Sequence, residues 1–203
     1  MALEVRKSRM SINKRGIRSL GISESFIKNI GGKSILAGVV VRADRIIDGF
    51  GLSLTTIGGM DATENIISLY KALKRRDINV IFLNGCVISW FNIIDLNEVY
   101  KKLDVPLICI TYEESEGLKK YLKEYFKKDW EDRYKIYLKN GSREKIILNT
   151  RKAIFVRNLG MELPQAERLL NKFTIQGAIP EPLRISRLLA RSILKSKLSQ
   201  KIN

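Results

Sequence analysis

The sequence predicts an α/β fold in which antiparallel strands come first, parallel strands follow, and helices cover both faces of one mixed sheet. Apolar residues first form short strand-like segments with tight turns nearby. They then recur at helical spacing, and after that helices and buried strands alternate along the chain. An alternation of strand, helix and strand needs crossover connections, which pair the strands in parallel. Together these observations predict the mixed sheet.

Three strand-like segments open the chain, and the very short connection between the second and the third predicts a hairpin. In the third segment, Phe50, Leu52 and Leu54 alternate with small residues. This alternation predicts a strand with one buried face, formed by the three apolar side chains. The three segments cover residues 16–23, 33–42 and 45–54.

The rest of the chain changes to helical spacing and then alternates between helix and strand. Ile66, Ile67 and Tyr70 recur at helical spacing behind a start that contains Asp61 and Thr63, which is typical of a capped amphipathic helix. This order of elements is that of ribonuclease H-like folds. The predicted elements are a helix within 58–76, a strand at 78–85, a helix at 93–103, a strand at 105–112, two helices within 115–138, strands near 145–148 and 152–157, and helices that begin near Leu163 and Pro180.

The length of 203 residues fits one domain. We expect a basic and flexible N-terminal segment, residues 1–15, followed by a single domain of the predicted fold over residues 16–197. No apolar run approaches the roughly 20 residues that span a bilayer, and the N-terminus lacks the apolar centre of a signal peptide. We therefore expect a cytoplasmic protein without a membrane partner.

Histidine is absent, which excludes Ser-His and Cys-His nucleophile pairs and every metal site that needs a histidine. The sequence contains only Cys86 and Cys109, and two cysteines cannot complete a tetrahedral zinc site. Both lie in or beside apolar strand-like runs, so we expect buried, reduced thiols. An enzyme built from this chain would rely on carboxylates, with Mg²⁺ or Mn²⁺ bound by oxygen.

The formal net charge of +16 favours a polyanionic partner such as nucleic acid, because neutralising phosphates releases counterions. The basic excess lies in the N-terminal stretch and after Pro182, whereas acidic and basic residues balance over residues 113–135. A lysine-rich surface that serves solubility or thermal stability explains the same charge. Composition does not decide between a monomer and a homodimer.

Six stretches of the sequence occur in the order found in a known family. They are GIRSLGISES, LAGVVVRADRIIDG, GGMDATENII, LNGCVISWFNIIDL, VPLICITY and QGAIPEPLRISRLLA. In these stretches the chain resembles the archaeal endonuclease dU family, a formerly uncharacterised group related to endonuclease V and carrying a ribonuclease H-like fold. The resemblance covers roughly residues 15–195, and DATE, FNIID and GAIPEPLR are its most specific pieces. It implies a nuclease that cuts DNA near deaminated bases, notably deoxyuridine, with a divalent metal such as Mg²⁺ or Mn²⁺.

The resemblance also implies that several carboxylates converge at one margin of the sheet. A metal held there polarises the scissile phosphate and activates a water. Three residues at the expected places are candidate metal ligands, and two further acids join them as candidate catalytic residues. The candidate ligands are Glu24, Asp61 and Asn84, and the further acids are Asp95 and Glu181.

Two positions depart from the pattern that the family leads us to expect. The first strand ends in Ser23-Glu24 instead of two aspartates, and Asn84 stands where related folds carry an aspartate, although amides also occur in the family. Ser23 removes one oxygen ligand, and Asn84 offers only a neutral carbonyl. We therefore expect weakened metal affinity. The alternative is a catalytically inactive nucleic-acid-binding protein of the same fold.

The candidate acids also have ordinary structural explanations. Asp61 and Asp95 each precede an apolar-periodic run, where such residues commonly cap helices. Glu24 has the alternative of a solvated loop acid. Glu181 lies at the positive end of a predicted helix beside Pro182, which suits a first helical turn.

Other residues are candidates for contact with nucleic acid. Trp90, with Phe91, either belongs to the core or stacks against an unpaired base, and Asn92 either caps its helix or contacts a base. Near the C-terminus, basic residues spaced by three, four and four form one stripe, with apolar residues such as Leu188 expected to face the core. Such a stripe can follow a phosphate backbone, although a solvated helix face has the same spacing. The family resemblance, which places this helix near the active site, favours contact with DNA. The stripe consists of Arg184, Arg187, Arg191 and Lys195.

Three functions follow from these observations. The leading one is a metal-dependent endonuclease acting on DNA, damaged or single-stranded, that contains deoxyuridine or a related lesion. The second is an inactive nucleic-acid-binding protein. The third is a scaffold that binds a protein partner through its basic ends. Metal-dependent cleavage separates the first from the second.

Overall fold

The computed structural model describes residues 16–28, 32–114 and 117–199, with side chains up to residue 197. The N-terminal segment expected to be basic and flexible, residues 1–15, lies outside these residues. None of the helices in the described ranges has the length and apolar composition that a bilayer crossing requires.

The described residues form nine strands and six helices. The strands are β1 (Arg18–Ser25), β2 (Lys33–Arg42), β3 (Ile47–Thr56), β4 (Val80–Asn84), β5 (Val87–Ile88), β6 (Asn92–Ile93), β7 (Leu107–Thr111), β8 (Glu144–Ile147) and β9 (Ala153–Leu159). The helices are α1 (Ala62–Ala72), α2 (Leu96–Leu103), α3 (Lys119–Tyr125), α4 (Trp130–Lys139), α5 (Leu163–Phe173) and α6 (Glu181–Ser199).

The predicted mixed sheet is confirmed. β1, β2 and β3 form an antiparallel ladder, and β1 also pairs in parallel with β4, which pairs in parallel with β7. β9 and β8 extend the sheet beyond β7 in antiparallel pairs. The resulting order is β3-β2-β1-β4-β7-β9-β8, and a separate ribbon joins β5 to β6.

The pairing brings the ends of four strands to one margin of the sheet, which we call the carboxyl edge. Glu24 lies near the end of β1, Asn84 ends β4 and Thr111 ends β7. β3 runs in the same direction as β1, so Thr56 at its end reaches the same margin, where the turn to α1 begins. Polar side chains from distant parts of the chain therefore meet here.

Both faces of the sheet are covered, because the central strands bury side chains in both directions. Ile81 and Leu83 of β4 lie in the core that includes α1 and α2. Val80 and Phe82 point to the opposite face and join the core that includes α5. Phe82 contacts Phe173 of α5 edge-on, with ring centroids 5.5 Å apart. Burial on both faces explains the nearly continuous apolar run of this strand.

The prediction that Phe50, Leu52 and Leu54 form the buried face of β3 is wrong. Phe50, Leu52 and Leu54 are 57%, 55% and 42% exposed. The opposite, glycine-containing face packs against α1, where a Cβ added at Gly51 would lie only 3.1 Å from Leu73. The small residues face the helix because bulky ones would not fit, and the apolar row is left on the outside.

A close approach to β1 positions α6. A Cβ added at Gly21 would lie 2.3 Å from the carbonyl carbon of Pro182, so the helix can start here only because position 21 has no side chain. The Ser23 hydroxyl donates to the Leu183 carbonyl at 3.1 Å, and the Ser186 hydroxyl donates to Ser23 at 2.8 Å. These contacts anchor α6 beside the carboxyl edge.

Candidate active site at the carboxyl edge

Asp61, which precedes α1, accepts a dense set of hydrogen bonds at the carboxyl edge. Its carboxylate accepts from the Thr55 hydroxyl at 2.8 Å, the Thr56 hydroxyl at 2.7 Å and the Thr56 N–H at 3.0 Å. The side-chain amide of Asn92 donates a further bond at 2.7 Å. A carboxylate has about four lone-pair sites. Three of these four bonds reach Oδ1, whereas Oδ2 accepts from the Thr56 hydroxyl and lies 3.9 Å from the ammonium nitrogen of Lys33.

The same network sets the ionisation of Asp61. Burial, the largest single influence, would raise the pKa of its carboxyl. The hydrogen bonds from Thr56, Thr55 and Asn92 together outweigh burial and hold the pKa well below the usual 3.8. Asp61 is therefore charged at neutral pH. Its side chain does not cap α1, the alternative role considered for it.

Asn92 is fully buried, and both its side-chain oxygen and its side-chain nitrogen are used inside the protein. Its Oδ1 accepts from the Ala62 N–H at 3.0 Å, at the start of α1. Its Nδ2 donates to Asp61 and, at 2.9 Å, to the Thr56 carbonyl. This burial contradicts the expected contact between Asn92 and a base. Asn92 instead joins the β5–β6 ribbon to the turn before α1.

Glu24 is half-buried near the end of β1. The Ser34 hydroxyl donates to its carboxylate at 3.4 Å, and the Ser89 N–H and the Arg187 guanidinium also act on it. Burial has the largest effect and raises the pKa of Glu24 above its usual 4.5, against the lowering effect of these three groups. A carboxyl that is costly to charge gains from a nearby cation.

Two buried hydroxyls connect Glu24 to Asp61 across the sheet. Ser34 of β2 contacts Glu24 and is the cross-strand partner of Thr55 in β3. The Thr55 hydroxyl in turn donates to Asp61. Both hydroxyl residues are fully buried, so this part of the edge is fixed by packing.

An open pocket of about 760 Å³ lies beside the carboxyl edge, at the ends of β4 and β7. Asn84 forms part of its wall and also borders a small cavity of about 10 Å³ that Glu24 lines as well. Asn84 therefore stands between Glu24 and the pocket. Aromatic and basic side chains contribute to the rest of the lining, among them Phe91, Tyr112, Tyr121, Tyr137, Arg143 and Arg157.

Cys86 and Cys109 are buried free thiols, as the sequence predicted. Cys86 lines the pocket, and a guanidinium nitrogen of Arg157 lies 3.6 Å from its Sγ. The hydrogen bond with Cys109, together with the charge of Arg157, outweighs burial and lowers the pKa of Cys86 to about 7. The pocket wall therefore contains a polar thiol beside a guanidinium.

A left-handed turn places Phe91 at the pocket and Trp90 beside it in sequence. Ser89, Trp90 and Phe91 have φ angles of 45°, 56° and 64°, a conformation that is costly for residues other than glycine. The half-buried rings of Trp90 and Phe91 meet Tyr121 and Tyr125 of α3, whose side chains are exposed. The Phe91 and Tyr125 rings are stacked, with centroids 6.0 Å apart. These four rings form an aromatic surface of the kind that stacks with an unpaired base.

Arg133 of α4 holds this turn in place, and no feature of the sequence pointed to it. It is only 3% exposed, although it is charged. Its guanidinium donates to the carbonyls of Gly58, Gly59 and Phe91 at 2.8, 2.7 and 2.8 Å. It also pairs with Asp129 at 2.8 Å. One buried cation thus ties the turn before α1 to the aromatic surface.

Asp95 and Glu181 have structural partners elsewhere. Asp95 caps α2 by accepting from the Glu98 N–H at 3.0 Å, and it forms an ion pair with Lys139 at 2.6 Å. Glu181 opens α6 and accepts hydrogen bonds from Arg184 at 2.9 and 3.0 Å. The geometry therefore favours the structural alternatives for these two acids over the catalytic roles expected of them.

Arg187 is the residue of the basic stripe that reaches the carboxyl edge. It is half-buried, and its charge lowers the pKa of both Glu24 and Tyr112, although burial raises each of them overall. A guanidinium at this place can meet a phosphate that approaches Glu24.

The other residues of the stripe lie farther out. Arg184 pairs with Glu181, and Arg191 and Lys195 are exposed. Leu188, which was expected to face the core, is 51% exposed. The correction follows from the helix geometry, because Leu188 lies on the same outward side as its basic neighbours.

The carboxyl edge offers oxygen donors of the types that Mg²⁺ and Mn²⁺ accept. Glu24 provides a carboxylate and Asn84 an amide carbonyl, whereas most acceptor sites of Asp61, the third expected ligand, are taken by hydrogen bonds. Within the described part of the chain, no group of three or more His, Cys, Asp or Glu side chains could hold a metal ion. Mg²⁺ is commonly bound by one or two carboxylates together with substrate phosphates. The residues present therefore fit an ion that takes its remaining ligands from DNA and water.

Comparison with known families shows to which family the chain belongs. A family model described as Endonuclease dU matches residues 15–194. The chain belongs to the endonuclease dU family. Archaeal relatives named UPF0215 proteins agree with this. The protein of Pyrobaculum calidifontis is 33% identical over 175 residues, which cover 86% of this chain and 95% of the relative. The protein of Methanosarcina mazei is 33% identical over 184 residues, which cover 89% and 92%.

Solved structures similar to this endonuclease dU family member share its ribonuclease H-like fold. A protein of unknown function from Archaeoglobus fulgidus aligns with a TM-score of 0.74 at 28% identity, covering 87% of this chain and 98% of that one. Endonuclease V of Ciona intestinalis, bound to DNA that contains an inosine, aligns with a TM-score of 0.61 at 14% identity, covering 90% and 87%. Human endonuclease V aligns with a TM-score of 0.62 at 13% identity, covering 90% and 86%. These two endonuclease V likenesses establish the fold.

Ser23 has a structural role in this member of the endonuclease dU family. It stands where the family resemblance leads to the expectation of an aspartate. The residue is 3% exposed and its hydroxyl is bonded to Leu183 and Ser186 of α6. The Ser23 side chain therefore packs α6 against β1. Glu24 is the first acidic residue at the end of β1.

Proposed function

We propose that this endonuclease dU family member is a divalent-metal-dependent endonuclease that cuts DNA containing deaminated bases such as deoxyuridine, with an activity weakened by Ser23 and Asn84. The observation that carries the proposal is the meeting of Glu24 and Asn84 at the carboxyl edge, directly beside the open pocket. Membership of the endonuclease dU family supports nuclease chemistry at this place.

Glu24 and Asn84 are the residues that would hold Mg²⁺ or Mn²⁺, through a carboxylate oxygen and the amide carbonyl. When bound, the ion supplies Lewis acidity toward a phosphate and a more acidic water. Glu24 is half-buried, so a cation beside it offsets the cost of its charge. Asp61 acts indirectly, because its hydrogen bonds fix the turn between β3 and α1.

Basic and aromatic side chains around the carboxyl edge form the surface on which we expect DNA to bind. Arg187 suits a phosphate next to the scissile bond, since it acts on Glu24. Arg143 and Arg157 line the pocket together with Phe91 and Tyr121. Stacking of a base on aromatic rings contributes roughly 1–3 kcal/mol per base. We infer that the damaged base enters the pocket while the backbone passes the basic stripe of α6.

Cleavage of a labelled duplex with a single deoxyuridine, compared with the same duplex carrying thymidine, tests the proposal. Product should form only with Mg²⁺ or Mn²⁺, disappear with a chelator and favour the deoxyuridine duplex. Glu24→Gln removes the carboxylate and should reduce product formation by about 100-fold. Glu167→Gln changes an exposed acid of α5 and should leave the rate unchanged. Cleavage that is equal in Glu24→Gln and the wild type would contradict the proposal.

Binding of nucleic acid without cleavage is the second candidate function. The heavily hydrogen-bonded carboxylate of Asp61 and the packing of Ser23 favour it, because both leave fewer free oxygen ligands at the edge. It predicts tight, salt-sensitive binding of the same duplexes and no product at any concentration of Mg²⁺ or Mn²⁺. The cleavage assay thus separates the two functions.

A further inference from the structure

β3 forms one edge of the sheet and carries an exposed apolar row, which consists of Phe50, Leu52 and Leu54. These side chains are 57%, 55% and 42% exposed. They lie on the sheet face that α6 covers above β1 and β2. Three neighbouring apolar side chains thus remain open to solvent at the end of a well-packed sheet.

The backbone of the apolar row has outward-facing hydrogen-bonding groups. The Ile57 N–H donates to the Gly32 carbonyl at 3.0 Å, which fixes the alternation of the antiparallel ladder between β2 and β3. Every second residue from Ile57 back to Gly51 directs its N–H and C=O toward β2. The residues of the apolar row lie between them and direct these groups away from the sheet.

The two ends of this outward-facing edge are covered within the chain. The outward N–H of Thr56 donates to Asp61, and its carbonyl accepts from Asn92. At the other end, the carbonyl of Asp48 accepts from Arg75. Between these ends, no hydrogen-bond partner for the outward groups of the apolar row is found among residues 16–28, 32–114 and 117–199. The unprotected stretch is therefore the middle of the strand.

The opposite edge of the sheet is protected in the usual way. β8 has four residues, and Glu144 and Lys145 are exposed on it. β3 has ten residues, and its sequence IDGFGLSLTT contains no lysine, arginine or proline. A long edge without basic residues or proline is a template for another strand. Because β3 lacks basic residues, pairing there does not bring together basic side chains from the strands of a chain with a net charge of +16.

We propose that β3 is a homodimer interface in which two copies of this chain pair through their β3 strands, antiparallel about a two-fold axis at Leu52. A second copy fits this edge because the apolar row is symmetric about Leu52. Phe50 of one copy then faces Leu54 of the other, and Leu52 faces its own counterpart. The outward N–H and C=O groups pair across the axis, and the apolar side chains cover one another on the same face of the joined sheet.

Sedimentation equilibrium of the full chain tests the dimer. The wild type should sediment as a dimer at micromolar concentration and Leu52→Lys as a monomer, with the same circular dichroism spectrum. Leu138→Lys changes a side chain of α4 that is 57% exposed, and this matched control should remain a dimer. A monomeric wild type, whether its edge is covered by its own residues 1–15 or left open, overturns the proposal. So does a dimer that survives Leu52→Lys.

Cysteine cross-linking tests the register. Facing residues in a hydrogen-bonded pair have Cα atoms about 5.5 Å apart, within disulfide range. Leu52→Cys should therefore form a disulfide-linked dimer under mild oxidation. Phe50→Cys should not link to itself, because its counterpart is about 13 Å away along the strands, but should link to Leu54→Cys in a mixture. Self-linking of Phe50→Cys without self-linking of Leu52→Cys overturns the proposed axis.

Discussion

The side-chain amide of Asn92 donates a 2.7 Å hydrogen bond to the carboxylate of Asp61, so that the β5–β6 ribbon and the turn before α1 share one acceptor. The same side chain accepts from the Ala62 N–H, the first helical residue of α1. The turn at the end of β3 is thus held from two sides by a residue that the sequence suggested as a base contact. Its importance for stability can be measured.

Asn92→Ala should lower the free energy of unfolding by about 2–3 kcal/mol, because it leaves buried groups without partners. Urea unfolding measures this loss. Asn97→Ala removes one exposed bond to the Lys139 carbonyl and should cost less than about 1 kcal/mol. Equal stability of Asn92→Ala and the wild type would show that the network does not hold the turn.

Asp61→Asn should destabilise the protein at neutral pH, and the deficit should shrink in acid. The pKa of Asp61 is well below 3.8 in the folded protein and near 3.8 in the unfolded chain. Its charge therefore stabilises the fold above pH 3.8, and this contribution is lost as the pH falls toward the folded pKa. Urea unfolding of both proteins from neutral to acidic pH measures the difference. A difference that does not change with pH would contradict the assignment.

Ser23→Asp restores the residue type expected from the family, but the disrupted packing of α6 should outweigh any gain in metal binding, so that cleavage does not improve. A carboxylate at this buried position would lie against the Leu183 carbonyl, so we expect a loss of about 3 kcal/mol in unfolding free energy. Ser23→Ala, which loses only the hydroxyl, should cost about 1 kcal/mol. Faster cleavage by Ser23→Asp at unchanged thermal stability would show that position 23 serves the metal after all.

Arg187→Ala should weaken DNA binding and reduce the slope of log binding constant against log salt by about 1. The reason is the loss of one phosphate contact at the carboxyl edge. Lys135→Ala is the control, because its side chain is 74% exposed on α4 and pairs with Asp132. Fluorescence anisotropy over a salt series measures both slopes. Equal effects of the two substitutions would contradict a specific contact between Arg187 and a DNA phosphate.

Apolar periodicity was sufficient to predict most of the fold. β2 spans Lys33–Arg42, the range predicted for it, and the apolar runs of β4 and β7 mark strands buried on both faces. Periodicity did not show which face of β3 is covered. That depends on Leu73 of α1, which packs where a side chain at Gly51 would lie. Alternation identifies a strand, whereas burial depends on a distant helix.

The ribbon and the aromatic turn could not be predicted for a similar reason. Trp90 adopts a left-handed conformation for which its sequence has no preference. The turn is held by Arg133, whose bond to the Gly59 carbonyl connects residues 74 positions apart. Contacts at such separation leave no local pattern.

The candidate site was predictable where strand order decides it. Glu24 and Asn84 follow from the ends of neighbouring parallel strands. Asp95 and Glu181 were harder to place, since an acid at a helix start looks the same whether it caps the helix or binds a ligand. The cytoplasmic location and the single domain expected from the sequence remain predictions.

The position of Mn²⁺ in crystals of the protein with a short deoxyuridine duplex most directly tests whether Glu24 and Asn84 hold the catalytic metal. Anomalous density should place an ion within about 2.5 Å of a Glu24 oxygen and of the Asn84 carbonyl, with a DNA phosphate completing its ligands. An ion bound at Asp95 or Glu181, with the DNA seated away from the carboxyl edge, would contradict it.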